Sequence, residues 1–164
     1  MKWKNGGKNM IEKVGFNVSL VVLRNQLEVG ATILLHRVQE GVYELPNAFL
    51  GATDTPNMLA ESILETVSLD GQEEGISPST VFGDPNRDPS GHNLAQMYIA
   101  QMRSDAERKE DESDSDYVWF TITSHEAKVD ISTDDTTIIL YRDGRVTGDA
   151  VLALDHSQML TTIF

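Results

Sequence analysis

Cysteine is absent from this 164-residue chain. Disulfides, thiol nucleophiles and cysteine zinc sites are excluded with it, and the absence fits a cytoplasmic location. Long apolar runs are missing too: none approaches the ~18 residues needed to span a bilayer. Met1 to Lys13 is rich in Lys, Asn and Gly and has no apolar h-region, so it reads as a flexible lead-in and not as a secretory signal. Basic residues are scarce: 13 Lys and Arg stand against 26 Asp and Glu, for a net charge of −13. That balance argues against direct nucleic-acid binding and against an anionic membrane surface. Much of the charge is local, since Ser104 to Asp116 (SDAERKEDESDSD) holds seven acids and two bases. Its composition reads as a solvated loop or a helix extension. No phosphate-binding loop is visible, because Gly71 and Gly75 are not followed by the Lys-Ser/Thr ending.

What is present reads as one α/β domain over residues 14–164, of a length that buries a real core. Phe16 to Leu23 (FNVSLVVL) is β-branched and apolar, a buried strand. Val29 to Leu35 is a second strand. Tyr43 to Leu50 is extended but interrupted by Pro46, which places it at an edge or bulge. Thr55 and Pro56 open a helix as N-cap and first helical residue. Leu59, Ala60, Ile63, Leu64 and Val67 give it one apolar stripe, and Gly71 stops it. Val81 to Pro89 is turn-rich. Asn93 to Met102, Tyr117 to Ile122 and Thr136 to Tyr141 are strands, with a hairpin signal at Asp143-Gly144. Val151 to Leu154 is a short strand. Asp155 can cap a last helix whose apolar face is Met159, Leu160, Ile163 and Phe164.

Four stretches in order resemble the Nudix family, in particular its ADP-ribose pyrophosphatase-like domains and related transcriptional regulators. Leu34-Leu35-His36-Arg37 before Tyr43-x-Leu45-Pro46-x-x-Phe49 is similar to the lead-in of the Nudix box. Phe82 to Gly91 (FGDPNRDPSG) is the most specific match. Val118-Trp119-Phe120 and Leu152 to His156 (LALDH) complete the set. The resemblance covers roughly residues 16–164. It implies a Nudix-like α/β/α sandwich with a mixed central sheet, a small nucleotide or sugar-phosphate ligand of ADP-ribose type, and Mg or Mn as cofactor if the chain hydrolyses it. The resemblance to this subgroup also allows a homodimer.

The box itself departs from the family pattern. With Pro46 on the family proline, the two glycines become Asn47 and Ala48, and the first glutamate becomes Asp54. The Arg-Glu pair becomes Ser62-Ile63 and the Glu-Glu pair Thr66-Val67, while Leu69 stands at the closing glycine. Slipping two residues forward places Glu65 and Gly71 but leaves Leu64 at the arginine. Slipping two back recovers Glu61 and Glu65 but puts Ser62 at a buried aliphatic position. No register restores the acidic set. Pyrophosphate cleavage in this family needs divalent metal to neutralise phosphate charge and activate water, and magnesium needs hard oxygen ligands in near-octahedral array.

Glu61 and Glu65 share a helix face at i and i+4; they are either the solvated side of an amphipathic helix or, with Asp54, the remnant of a metal site. Arg37 matches a family arginine that resembles a phosphate contact, or it is a surface arginine. Arg87 either reaches a ligand phosphate or braces its loop through Asp84 or Asp88. Phe49 and Tyr43 can stack on a base, with core packing the alternative for Phe49. His92 reads as a loop histidine and His156 as part of a helix cap, with no serine to complete a nucleophilic triad. Three functions follow: a non-catalytic sensor or regulator binding through Arg37, Phe49, Asp84 and Arg87; a hydrolase with relocated metal ligands; or a scaffold that binds no ligand.

Overall fold

The protein is described here by a computed structural model covering residues 14–25, 30–109 and 116–164. The expected N-terminal lead-in and the centre of the acidic stretch lie outside the described residues. These residues form an 11-stranded mixed sheet and two helices, with no helix long and apolar enough to cross a membrane. The strands are β1 (Gly15–Arg24), β2 (Thr32–Gln39), β3 (Val42–Glu44), β4 (Asn47–Phe49), β5 (Glu73–Phe82), β6 (Asn93–Met102), β7 (Tyr117–Ser124), β8 (Lys128–Ser132), β9 (Thr137–Tyr141), β10 (Val146–Gly148) and β11 (Val151–Leu152). The helices are α1 (Pro56–Thr66) and α2 (His156–Ile163). The main path runs β10-β9-β8-β7-β2-β1-β6-β5, and only β1–β6 is parallel along it. Pro46 splits the segment after Tyr43 into β3, which pairs with β2 and β11, and β4, which pairs with β1.

The period-2 alternation of β1 divides the interior in two. Val18, Leu20 and Val22 join Leu59, Ala60, Ile63 and Leu64 of α1 on one face. Val21 and Leu23 join Met159 and Leu160 of α2 on the other. This is the α/β/α sandwich. Asn17 and Ser19 interrupt the apolar alternation on the α2 side, yet both are buried.

Helix α1 begins as its sequence dictates: the Thr55 side chain accepts the Met58 N–H at 3.2 Å, and Pro56 needs no partner at the first helical position. Its end differs from expectation. The helix stops at Thr66, and Ser68 takes the left-handed conformation that terminates it. Gly71, also at positive φ, instead shapes the turn into β5. Residues 104–109 are not helical: they cross the end of α1, where Arg108 donates to the Val67 carbonyl at 2.9 Å and Lys109 N–H to that of Ser68 at 3.2 Å.

Because Leu64 is buried in the α1 face of the sheet, Leu64→Ala is expected to cost about 3 kcal/mol. The exposed neighbour Glu65→Ala should stay within about 0.5 kcal/mol. Urea denaturation of the two variants checks the pair. Equal effects would mean that α1 is not anchored through this stripe.

Candidate functional site

Glu61 and Glu65 occupy successive turns of α1 and both are exposed. Glu61 faces a hollow of about 90 Å³ beside Tyr98 and Pro78, and both glutamates border a second of about 230 Å³ with Asp70 and Glu73. The floor of the first is fixed by the Tyr98 hydroxyl, which donates to the Asn57 side chain. Asp54 does not join them: its carboxylate accepts the Gly51 N–H at 3.0 Å and shapes the turn before α1. Among the described residues no three acidic or histidine side chains are grouped so as to hold a metal ion. Magnesium or manganese needs a compact set of hard oxygens. The α1 carboxylates do not supply it.

Arg87 sits elsewhere. It braces the loop between β5 and β6, though not through Asp84 or Asp88. Its Nε and Nη2 both donate to Asp155 at 2.8 Å, a two-pronged pair in which the arginine side chain is only 3% exposed. Its Nη1 donates to the Asn93 carbonyl at 3.3 Å. Asp84 and Asp88 serve turns. Asp84 accepts the Asn86 N–H at 2.8 Å. Asp88 accepts the Ser90 hydroxyl and N–H and an N–H of the Asn93 amide. The Ser90 hydroxyl, then the Ser90 N–H, holds the Asp88 carboxyl below its usual value.

Asp155, expected to cap α2 with its side chain, makes no such bond, because Arg87 holds both of its oxygens. The next residue, His156, is buried, and its Nδ1 accepts the Leu45 N–H at 3.0 Å. That bond requires an unprotonated Nδ1, and burial pushes the ring pKa down to about 4. The Leu45 carbonyl accepts from Asn47, which accepts from Asn17, which accepts from Ser19. A polar chain therefore runs through the α2 face of the sheet. Beside it lies Phe49, opposite Asn17 in the β1–β4 register. It is 58% exposed, so it is an open aromatic ring and not a core residue.

Arg37 belongs to a third place. Strand alternation puts it with Ile33 and Leu35 on the α2 side of the sheet, away from Glu61 and Glu65. It borders an open cleft of about 620 Å³ between the β2–β3 turn and the β8–β9 turn. Its Nη2 donates to Asp116 at 3.2 Å, and both side chains are about half exposed (45% and 52%). His92 lies in an exposed loop with Nε2 3.3 Å from the Gly83 carbonyl. The predicted site residues thus fall into three groups: the α1 acids, the Arg87 brace with Phe49 nearby, and Arg37 in its cleft. Sequence reasoning missed the cleft's other walls, Thr133, Asp135 and Asp149, because their turns carry no motif.

Two consequences are testable. Breaking the buried pair with Arg87→Ala strands a carboxylate and is expected to cost about 3–5 kcal/mol. The partner change Asp155→Asn should cost comparably, and the double variant less than the sum, read by a denaturation cycle. For His156, the folded pKa lies below the unfolded value, so the unfolded chain binds more protons between them. Its contribution to stability is complete above pH ~6.5 and is lost as pH falls toward about 4. Urea midpoints at pH 7 and pH 5 should show the loss, and His156→Gln should reduce the difference.

No protein-family model matches the sequence, and no curated protein does. Solved structures do. A MutT/nudix family protein from Enterococcus faecalis superposes with a TM-score of 0.79 at 22% identity, over 93% of this chain and 62% of its own. The NUDIX domain of Shewanella oneidensis NrtR, solved with ADP ribose, gives 0.59 at 16%, over 97% of this chain and 92% of its own. A bifunctional NMN adenylyltransferase/ADP ribose pyrophosphatase from Francisella tularensis gives 0.57 at 15%, over 93% and 41%. The chain therefore spans less than two thirds of some of these proteins, and at such identities the likeness speaks for architecture: this chain has the Nudix fold.

Proposed function

We propose that this chain is a non-catalytic Nudix-fold domain that binds a nucleotide-diphosphate-sugar ligand of ADP-ribose type and acts as a sensor or regulator. The observation that carries this reading is the state of α1. The helix keeps its cap, its apolar stripe and its seat on the sheet, while its carboxylates form no metal-holding group with any others among the described residues. A domain that keeps the frame and lacks the ligand set is suited to hold a nucleotide and unsuited to polarise its phosphates.

Arg37 is the arginine placed to meet a phosphate, since its partner among the described residues, Asp116, is exposed and such pairs exchange at little cost. Arg87, its guanidinium already committed to Asp155, is a brace and not a phosphate contact. Phe49 offers an open ring for a base. The NrtR domain solved with ADP ribose, which matches nearly the whole of this chain, supports the ligand class.

A second reading, hydrolysis with relocated ligands, draws on one detail. Glu61, Glu65, Asp70 and Glu73 border one hollow, and Glu73 Oε2 is buried with no hydrogen-bond partner.

Calorimetric titration with ADP-ribose, with and without magnesium and manganese, followed by chromatography for AMP, separates the two. The expected result is saturable binding without AMP, weakened about tenfold by Arg37→Ala. Metal-dependent AMP that disappears in Glu61→Gln and Glu65→Gln would establish the hydrolase instead.

A further inference from the structure

The cleft beside Arg37 is built for more than a phosphate. Its volume of about 620 Å³ falls within the ~300–1,000 Å³ of small-molecule sites, which favour the mouths of curled sheets. The floor includes Tyr43, whose ring meets Phe120 edge-on at 5.0 Å. Tyr43 is only 7% exposed, and its hydroxyl has no hydrogen-bond partner among the described residues. A phenol so deeply buried normally finds a partner. Tyr43 lines the cleft.

The rim is rich in acceptors. Glu40, Asp135 and Asp149 stand around it, with Arg37 as the one basic group among the described residues. Asp135 is anchored by the hydroxyls of Thr133 and Thr136 at 2.9 and 3.0 Å through a single oxygen, and Asp149 by the Thr137 N–H at 3.2 Å. Each keeps a second oxygen without a hydrogen-bond partner among the described residues. The Thr133 hydroxyl, then that of Thr136, holds the Asp135 carboxyl below its usual value, so it is an anion and an acceptor at neutral pH. Three carboxylates against one guanidinium repel a ligand whose inserted part is polyanionic. They suit a part that carries many hydroxyl donors and no charge, with its linking phosphate at Arg37. The three are not close enough to form a metal site.

We infer that this cleft binds the terminal sugar of the ligand, with Tyr43, Glu40, Asp135 and Asp149 reading its hydroxyls and Arg37 its adjoining phosphate. This rests on the nucleotide-sugar reading above and adds what that reading leaves open: which part of the ligand is recognised, and by which residues.

The test is calorimetric titration of the full chain with ADP-ribose, ADP and ribose 5-phosphate, repeated for Tyr43→Phe and Glu40→Gln. Tyr43→Phe keeps the ring contact with Phe120, and Glu40 is exposed, so both variants should melt at the temperature of the parent. ADP-ribose should bind at least about tenfold more tightly than ADP. Each variant should weaken ADP-ribose by about three- to tenfold, the effect of one lost hydrogen bond, while leaving ADP unchanged. Equal affinity for ADP-ribose and ADP, or variants that change neither, would overturn the cleft assignment and leave the nucleotide reading intact. Binding of ribose 5-phosphate with no binding of either nucleotide would uphold the cleft and remove the nucleotide. No binding of any of the three removes both.

Discussion

The two-pronged pair between Arg87 and Asp155 is the constraint around which the α2 side of the molecule is arranged. It joins residues far apart in sequence, fastening the turn-rich loop after β5 to the start of the last helix. Neither charge has much water to fall back on, so the geometry must be good, and both prongs measure 2.8 Å. The position of Asp155 fixes that of His156, whose ring in turn receives the Leu45 N–H and holds the chain just before Pro46. From Leu45 the bonds continue through Asn47 to Asn17 and Ser19 in the central strand. A loop, a helix, a strand break and the middle of the sheet are thus held in one hydrogen-bonded relay. Buried polar groups joined in this way are stable only when every member is satisfied.

Much of the fold was legible in the sequence where chemistry is local. Thr55 and Pro56 announced the start of α1, and the spacing of Leu59, Ala60, Ile63 and Leu64 announced its buried face. The bounds of β6 were those read from Asn93 to Met102. Strands β5, β8 and the three-residue β10 were not read, the first two for clear physical reasons. Residues 73–82 (EEGISPSTVF) carry Gly, Pro and acids because β5 lies at the sheet edge, paired on one side only and largely exposed, where little core imposes a pattern. The five residues of β8 alternate correctly, with Val129 and Ile131 inward, but are too few to stand out.

The site was less legible, because its residues act at long range. The sequence left Arg87 between a ligand phosphate and a brace through Asp84 or Asp88; its pairing with Asp155 was not readable, since nothing local links them. The sequence marks Phe49 as apolar but does not reveal that its ring stays outside. The polar positions in β1 were a usable signal: Asn17 and Ser19 break an otherwise apolar strand, and a buried strand tolerates that only when each group has a partner. On α1, packing and chemistry have separated. The apolar stripe follows from the need to cover the sheet, and the carboxylates are subject to no such need.

The irregular edge of the sheet has a further consequence. An exposed strand offers a row of unpaired backbone groups to any extended chain that approaches, and so invites templated growth. In β5, Pro78 contributes no N–H, and the pairing register slips twice, between Glu73 and Gly75 and between Pro78 and Val81. A strand arriving from another molecule would find bonding groups out of step along most of the edge, and two glutamates at its beginning. The features that hid β5 from sequence reading are the same ones that make this edge a poor template for another strand.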